Sequence, residues 1–410
     1  MQVLHSRCCG IDVHKERLAA CVRVQAGRRA KTEVRLFGTT TSDLLCLSEW
    51  LVAEGCTHVA MESTSVYWKP VFNILEGQFE VILANARHIR AVPGRKTDVK
   101  DCEWIADLLA HGLIRPSFIP PAPIRELRDL TRYRKCLSRQ RVDEANRVHK
   151  LLEDANIKLG NVASDVLGVS GRAMLAALIA GQTDEHELAA LAKGALCSKK
   201  QRLSEALRGR FMPHHGFLLT QLLGHIDYIA EATAVCDARI AALVVPLAEE
   251  LERLQTIPGI GPRTAQVLVS EIGVDMSRFP SAGHLASWAK ICPGSNESAG
   301  KRRPARTGLG NNWLRAALIE SAWAASRSRK TYLGAQFRRI AARRGAKRAV
   351  VAVAHSILVA VWHLLTRRID YADLGPDYFD RANQTRLRRY HLRRLVELGV
   401  PWPAEVPMPG

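Results

Sequence analysis

Four carboxylates stand out, two because of their spacing and two because of where they fall. Asp98 and Asp101 lie three residues apart in the stretch Lys96–Thr97–Asp98–Val99–Lys100–Asp101–Cys102–Glu103–Trp104–Ile105, shortly after Pro93 and Gly94 break the preceding segment. Val99, Cys102, Ile105, Ala106 and Leu109 recur at helical spacing, so a helix from Lys96 to His111 with one apolar face is expected. Asp98 and Asp101 then share a face near its first turn. The helix dipole favours acidic residues there in any case. Asp12 falls between Ile11 and Val13, and Glu62 follows Val59–Ala60–Met61. A charge in or ending a buried strand costs roughly several kcal/mol unless it is paired or bound to a cation. Either one alone reads as a capping or edge carboxylate. Together with Asp98 and Asp101 they form a hard, all-oxygen donor set that suits Mg²⁺ or Mn²⁺. Two such ions about 4 Å apart would activate a nucleophile and stabilise the leaving oxygen in phosphodiester chemistry.

These side chains need a scaffold. Residues 8–13, 18–24 and 33–37 read as three strands, the first two joined by a polar turn. Residues 42–54 form a helix striped by Leu44, Leu45, Leu47, Leu51 and Val52; strand 57–61, helix 68–76 and strand 79–84 follow. Hairpin-like strands followed by strand–helix alternation predict a mixed α/β sheet with helices packed on it. The carboxyl edge of such a sheet is where ligands gather.

With 410 residues, 47% of them hydrophobic, the chain has material for more than one core. Its net charge of +19 calls for a polyanionic partner, most simply nucleic acid. No N-terminal signal pattern is present. The longest apolar run, 349–365, is short for a membrane span and interrupted by His355 and His363, so it reads as a buried core helix and no membrane partner is expected. Ten scattered cysteines without a CxxC pair suggest reduced core thiols of a cytosolic protein.

From Leu127 to about Ala155 a loose heptad runs through Leu127, Leu130, Leu137, Val148 and Leu151, with Arg134, Arg141 and Glu144 at other seam positions. A better one runs through Leu222, Ile226, Ile229, Thr233, Cys236, Ile240, Leu243 and Leu247, and Leu254 resumes it. The pair either packs within one chain or joins subunits. Then Pro258–Gly259–Ile260–Gly261–Pro262–Arg263 separates two helical patterns in the manner of a helix-hairpin-helix, where Gly259 and Gly261 would permit close backbone approach to a DNA phosphate. The alternative is plain packing. Next, Ser298 lies in a loop of mostly small and polar residues followed by Lys301, Arg302, Arg303 and Arg306. That loop could meet a phosphodiester, or the serine could merely cap a turn. Arg338, Arg339, Arg343, Arg344, Lys347 and Arg348 form a block dense enough to track a phosphate backbone, and the tail is basic and ends rich in proline.

Gly10–Ile11–Asp12–Val13–His14–Lys15, Met61–Glu62–Ser63–Thr64 and Lys96–Thr97–Asp98 with Asp101 resemble the DEDD motif of the IS-one-hundred-and-ten family of insertion-sequence transposases, which includes relatives of the pilin-gene invertases. Asn296–Glu297–Ser298–Ala299–Gly300–Lys301 resembles the family's Ser-x-Gly-Lys loop, with Glu297 and Ala299 where many relatives have serine and glycine; Ser295 is a weaker match than Ser298. The resemblance implies a RuvC-like (RNase H-like) N-terminal fold, with Asp12, Glu62, Asp98 and Asp101 as metal ligands and Ser298 as the nucleophile that becomes linked to DNA. It further implies a structured guide RNA and work on bacterial cytoplasmic, nucleoid-associated DNA, and the heptads add the expectation of a homo-oligomer (dimer or tetramer). The expected architecture is α/β + α. A RuvC-like catalytic domain spans 1–125, a helical coiled-coil connector suited to dimerisation 126–253, an all-α domain with the hairpin and serine loop 254–365, and a basic tail 366–410. The rival expectations are a Holliday-junction-type metal-dependent endonuclease using water, and a non-catalytic nucleic-acid-binding protein with a structural acidic cluster.

Overall fold

The computed structural model describes residues 2–27, 29–63, 65–85, 89, 101–293, 297–298, 300–302, 307–308, 310–382 and 384–398, with the backbone alone at 297, 298, 302, 386 and 387. The chain divides into two compact units, Met1–Ile119 and Pro120–Gly410.

The first unit is built on a five-stranded sheet. β1 (Arg7–Val13), β2 (Arg17–Ala26) and β3 (Arg29–Gly38) form an antiparallel meander, and β4 (His58–Glu62) and β5 (Glu80–Ala84) extend it in parallel, giving the order β3-β2-β1-β4-β5. The expected mixed sheet is present. The β2–β3 hairpin is longer than the apolar pattern suggests, because Gly27 at φ +60° turns the chain tightly and both strands run ten residues. α1 (Thr41–Ala53), started by a Thr40/Asp43 capping box, and α2 (Trp68–Leu75) cover one face. There Cys9, Ile11 and Val13 of β1 and Val59 and Met61 of β4 join Leu44, Leu47, Leu51 and Leu75 in one core. α3 (Asp101–Ala110) covers the other face, where Cys8, Ala60 and Ala84 meet Ile105, Leu108 and Leu109. The part of the expected helix before Asp101 lies outside the described residues.

Among its described residues, the second unit is helical apart from one short hairpin. α4 (Ala122–Asp154) packs on α8 (Pro213–Leu243), so the two heptads meet within the chain. Their polar pairs set an antiparallel register: Glu126 meets Arg239 (2.6 Å), Arg134 meets Asp237 (2.9 Å), Glu144 meets His225 (3.0 Å) and Asp154 meets His215 (3.0 Å). Arg134 and Glu144 are buried as their seam positions require, whereas Arg141 is exposed although its spacing also puts it on the seam. The second heptad is interrupted after Leu243: Pro246 lies in a 3₁₀ turn, and the chain resumes as α9 (Ala248–Gln255), which buries Leu254. Between the long helices, α5 (Val169–Ile179), α6 (Glu185–Ala190) and α7 (Lys200–Leu207) enclose a small core with Val148, Leu152, Leu219 and Ile226.

α10 (Pro262–Ile272), α11 (Ala282–Trp288), α12 (Asn312–Ser326), α13 (Tyr332–Arg344) and α14 (Ala346–Arg367) complete the body, followed by α15 (Tyr378–Ala382) and the exposed basic α16 (Gln384–Glu397). α14 is long and apolar enough to cross a membrane by length and composition. Here it packs against α11, α12 and α13 and buries Val353, Ala354, Ile357, Leu358 and Val361 completely, as a core helix does. The proline-rich end lies outside the described residues.

The cysteines are free thiols. Burial pushes Cys8 up to about 11 and Cys21 and Cys56 up to about 12 from the ordinary 9.0, and raises Cys9 strongly. Maleimide mapped by mass spectrometry at neutral pH should therefore label the exposed Cys46 and Cys197 and spare these four. In the unfolded chain the same thiols ionise first as pH rises. The stability they contribute is complete below 9 and lost between about 9 and 12, so the denaturant midpoint should fall over that window.

Candidate functional site

β1 delivers Asp12 to the α3 face. Gly10, two residues earlier on that face, has no room for a side chain: a Cβ would lie 2.3 Å from the Ala106 amide nitrogen and 2.3 Å from the Cys102 carbonyl oxygen. α3 therefore rests directly on the strand backbone. Cys8 Sγ reaches the Ala106 carbonyl (3.6 Å), so the helix runs against the strand and its first turn faces the strand's carboxyl end. Asp101 opens that turn. Asp12 is near enough to Cys102 that, after burial and the Glu103 charge, its own charge helps raise that thiol.

Glu62 ends β4, the parallel neighbour of β1. The register pairs Gly10 with Ala60 and Ile11 with Met61, which puts Glu62 beside Asp12 one step further on. Ala60 packs with α3 while Val59 and Met61 face the opposite core, so alternation turns Glu62 to the side of Asp12. Asp12, Glu62 and Asp101 thus belong to one end and one face of the sheet, all partly buried; Asp98 lies outside the described residues. His14, two residues after Asp12, places Nε2 3.2 Å from its Oδ2, a neighbour for which the sequence offered only a turn. The donors are carboxylate oxygens, and Cys102, the soft donor close by, is held protonated by burial. That combination fits Mg²⁺ or Mn²⁺ better than a thiophilic metal.

A second cluster has a different explanation. Asp154, His214 and His215 bring their ligand atoms within 4.8 Å of one another. His215 Nδ1 accepts the Met212 N–H (3.0 Å), which leaves the ring proton on Nε2, facing Asp154 Oδ2 at 3.0 Å. A cation at Nε2 would have to displace that proton while Nδ1 still accepts. The pair ties the end of α4 to the start of α8.

Ser298 belongs to the second unit. β6 (Glu297–Ser298) pairs with β7 (Lys301–Arg302), and Ser298 stands opposite Lys301 across a two-residue turn. Gly300 takes φ +73° there, a conformation glycine adopts without strain. Lys301 is exposed; Ser295, Arg303 and Arg306 lie outside the described residues.

The turn between α9 and α10 divides its glycines by role. Gly259 (φ +92°) lies against α12, where a Cβ would meet the Ser321 carbonyl at 2.3 Å. Gly261 has nothing within 4 Å of the Cβ position. Close approach at Gly259 is thus to the protein itself, and Gly261 fronts open space. Pro262 begins α10, and its first helical bond runs from Ala265 N to Gly261 O (3.0 Å), which leaves the Arg263 and Thr264 amides as first-turn donors. The Arg263 guanidinium is exposed and paired with Asp237 (2.7 Å).

These features define a chain with an acidic edge on a mixed sheet and a separate helical unit bearing a serine–lysine hairpin. Two family models match it. One, described as a transposase of the DEDD IS110 type, matches residues 9–157; the other, the transposase IS116/IS110/IS902 family, matches residues 251–338. Together they take in more than half of the residues, and the chain belongs to the IS110 family of transposases. It is 31% identical over 151 residues to the transposase for insertion sequence element IS1111A of Coxiella burnetii, which is 35% of this chain and 38% of the relative. It is 29% identical over 268 residues to the insertion element IS110 uncharacterized 43.6 kDa protein of Streptomyces coelicolor, 59% of this chain and 64% of the relative. The matches thus span less than two thirds of either relative.

Gly259→Ala should lower the stability of the second unit by about 3 kcal/mol through overpacking and a disfavoured φ. Gly261→Ala should cost about 1 kcal/mol or less, the loss of a fair N-cap. Urea unfolding of the two variants checks the difference.

Proposed function

We propose that the chain is a DNA transposase that mobilises an insertion sequence by cutting and rejoining DNA through a serine-linked intermediate. The observation that carries the proposal is the placement of Asp12 and Glu62 in adjacent registers on the face bearing α3, within the span matched by the DEDD family model. The strand order β3-β2-β1-β4-β5 supports a RuvC-like reading of the first unit.

In this reading Asp12, Glu62, Asp98 and Asp101 would hold divalent cations, which would supply Lewis-acid polarisation of the scissile phosphate and favour ionisation of the serine. The Ser298 oxygen bonds to phosphorus as the bond from phosphorus to the departing sugar oxygen breaks. The serine proton goes to a base, and the departing oxygen takes up a proton to become a free hydroxyl. Rejoining is the reverse attack by a sugar hydroxyl, so no bond energy is lost to water. Lys301, opposite Ser298, places positive charge beside the phosphate. The helix-hairpin-helix reading assigns the first-turn amides of α10 to another phosphate, with Gly261 leaving the approach clear and Arg263 exchanging Asp237 for it.

The carboxylates and the serine lie on different units, and a second copy of the chain could supply one of the two. Phe217, Tyr228 and Val235 support self-association as a dimer or tetramer: they are exposed and share the outer face of α8. An element-encoded guide RNA is part of the proposal, supported by the charge of +19. Tight, site-specific DNA binding without RNA would count against it. The nuclease reading keeps its own support, since the acidic edge belongs to a unit that does not contain Ser298.

Labelled element-junction DNA, Mg²⁺ and the element's transcript, resolved on a denaturing gel, test the proposal. The wild type should give a protein-linked DNA band and Ser298→Ala none. Nicked DNA from both without a covalent band would establish water as the nucleophile. Asp12→Asn and Asp101→Asn should lower cleavage at least by the roughly 10- to 100-fold seen for groups that merely support a metal ligand. Cleavage at wild-type rate in either variant would remove the metal-site argument.

A further inference from the structure

The mechanism above makes no use of Glu271, yet it is a fully buried carboxylate (0% exposed) near the end of α10. Arg132 of α4 grips it with two parallel hydrogen bonds, Nε to Oε1 at 2.7 Å and a terminal nitrogen to Oε2 at 2.8 Å. Arg128, one turn earlier, places Nε 3.5 Å from Oε2 and also donates to the Ser270 and Glu271 carbonyls (3.0 and 2.8 Å). Asn311 meets it as well, its Nδ2 donating to Oε2 at 2.5 Å.

Asn311 stands where the chain returns from the β6–β7 hairpin. Its Oδ1 accepts the Trp313 and Leu314 amides (3.0 and 3.1 Å) and so caps α12. Around it the return is closely held. Arg315 donates back to Thr307 Oγ1 and the Gly308 carbonyl (3.0 and 3.2 Å), Pro293 bridges Thr307, and a Cβ on Gly310 would lie 2.2 Å from the Ala289 carbonyl. The guanidinium groups of Arg132 and Arg139 lie 5.7 and 5.2 Å from the centre of the Trp313 ring.

Capping alone does not call for asparagine, since serine or aspartate would cap α12 as well. Asparagine adds an NH₂ group that can meet a carboxylate while its oxygen caps. Stability alone does not call for Glu271 either, because a buried ion pair is often matched by apolar packing, and its best-attested use is to fix register. We propose that Glu271 is a positioning residue: acting through Asn311, it fixes where the chain returning from the Ser298 hairpin enters α12, relative to α4 and α10. This rests on Ser298 being the nucleophile.

The test uses full-length Asn311→Ser and Asn311→Asp. Asn311→Ser keeps the cap and loses the donor to Glu271. Its unfolding midpoint and DNA affinity should stay near wild type, while covalent-adduct formation falls about tenfold or more and amide exchange over residues 297–302 speeds up. In Asn311→Asp two carboxylates face each other, and a shared proton can restore the missing hydrogen bond. Its adduct rate relative to wild type should therefore recover as pH is lowered. A wild-type adduct rate in Asn311→Ser, or a ratio for Asn311→Asp that is flat in pH, overturns the assignment. If wild type itself forms no adduct, the serine reading fails and amide exchange decides: faster exchange in Asn311→Ser upholds the clamp, and unchanged exchange removes it.

Discussion

The first unit depends on a side chain that is missing. Because Gly10 carries no Cβ, α3 can rest on the backbone of β1, with the Cys102 carbonyl and the Ala106 amide occupying the space a side chain would take. That contact fixes the height of the helix over the sheet and, with the helix running against the strand, brings Asp101 to the end where Asp12 and Glu62 already stand side by side. Any larger residue would lift the helix and separate its first turn from the strand ends. The acidic edge is a consequence of backbone packing as much as of acidic residues.

The second unit relies on polar contacts where apolar ones would hold the helices with less direction. Leucine and isoleucine along α4 and α8 tolerate sliding by a turn, but Arg134 with Asp237 and Glu144 with His225 do not, because a shift would leave buried charge without a partner. Glu271 applies the same logic to three helices at once. Burial lowers Arg128 to about 10, still protonated at physiological pH, so two cations and one amide converge on a single carboxylate.

Much of this was legible in the chain. Alternation and helical spacing located the described strands and helices of the first unit to within a few residues, apart from the β2–β3 hairpin, whose strands run ten residues each and whose exposed strand β3 has little apolar content to read. The heptad of α8 was visible, but its end at Pro246 and the exposure of Arg141 were not, because a seam is defined by the partner helix as well as by spacing. The two glycines before α10 look alike in sequence. One meets α12 and the other meets space, a difference made by residues more than fifty positions away. Glu271 left a faint signal, a charge inside the apolar run Val267–Ile272, with Arg128 and Arg132 one helical turn apart elsewhere.

The sequence by itself determined the local elements, the charge and the identity of the acidic and serine motifs, because periodicity and residue chemistry are properties of neighbours along the chain. Only the tertiary structure decided which carboxylates share a face, which glycine yields to packing, and which buried charge holds the serine loop's return. Those outcomes depend on distances between segments remote in sequence, set by close packing and by the high cost of an unpaired buried charge.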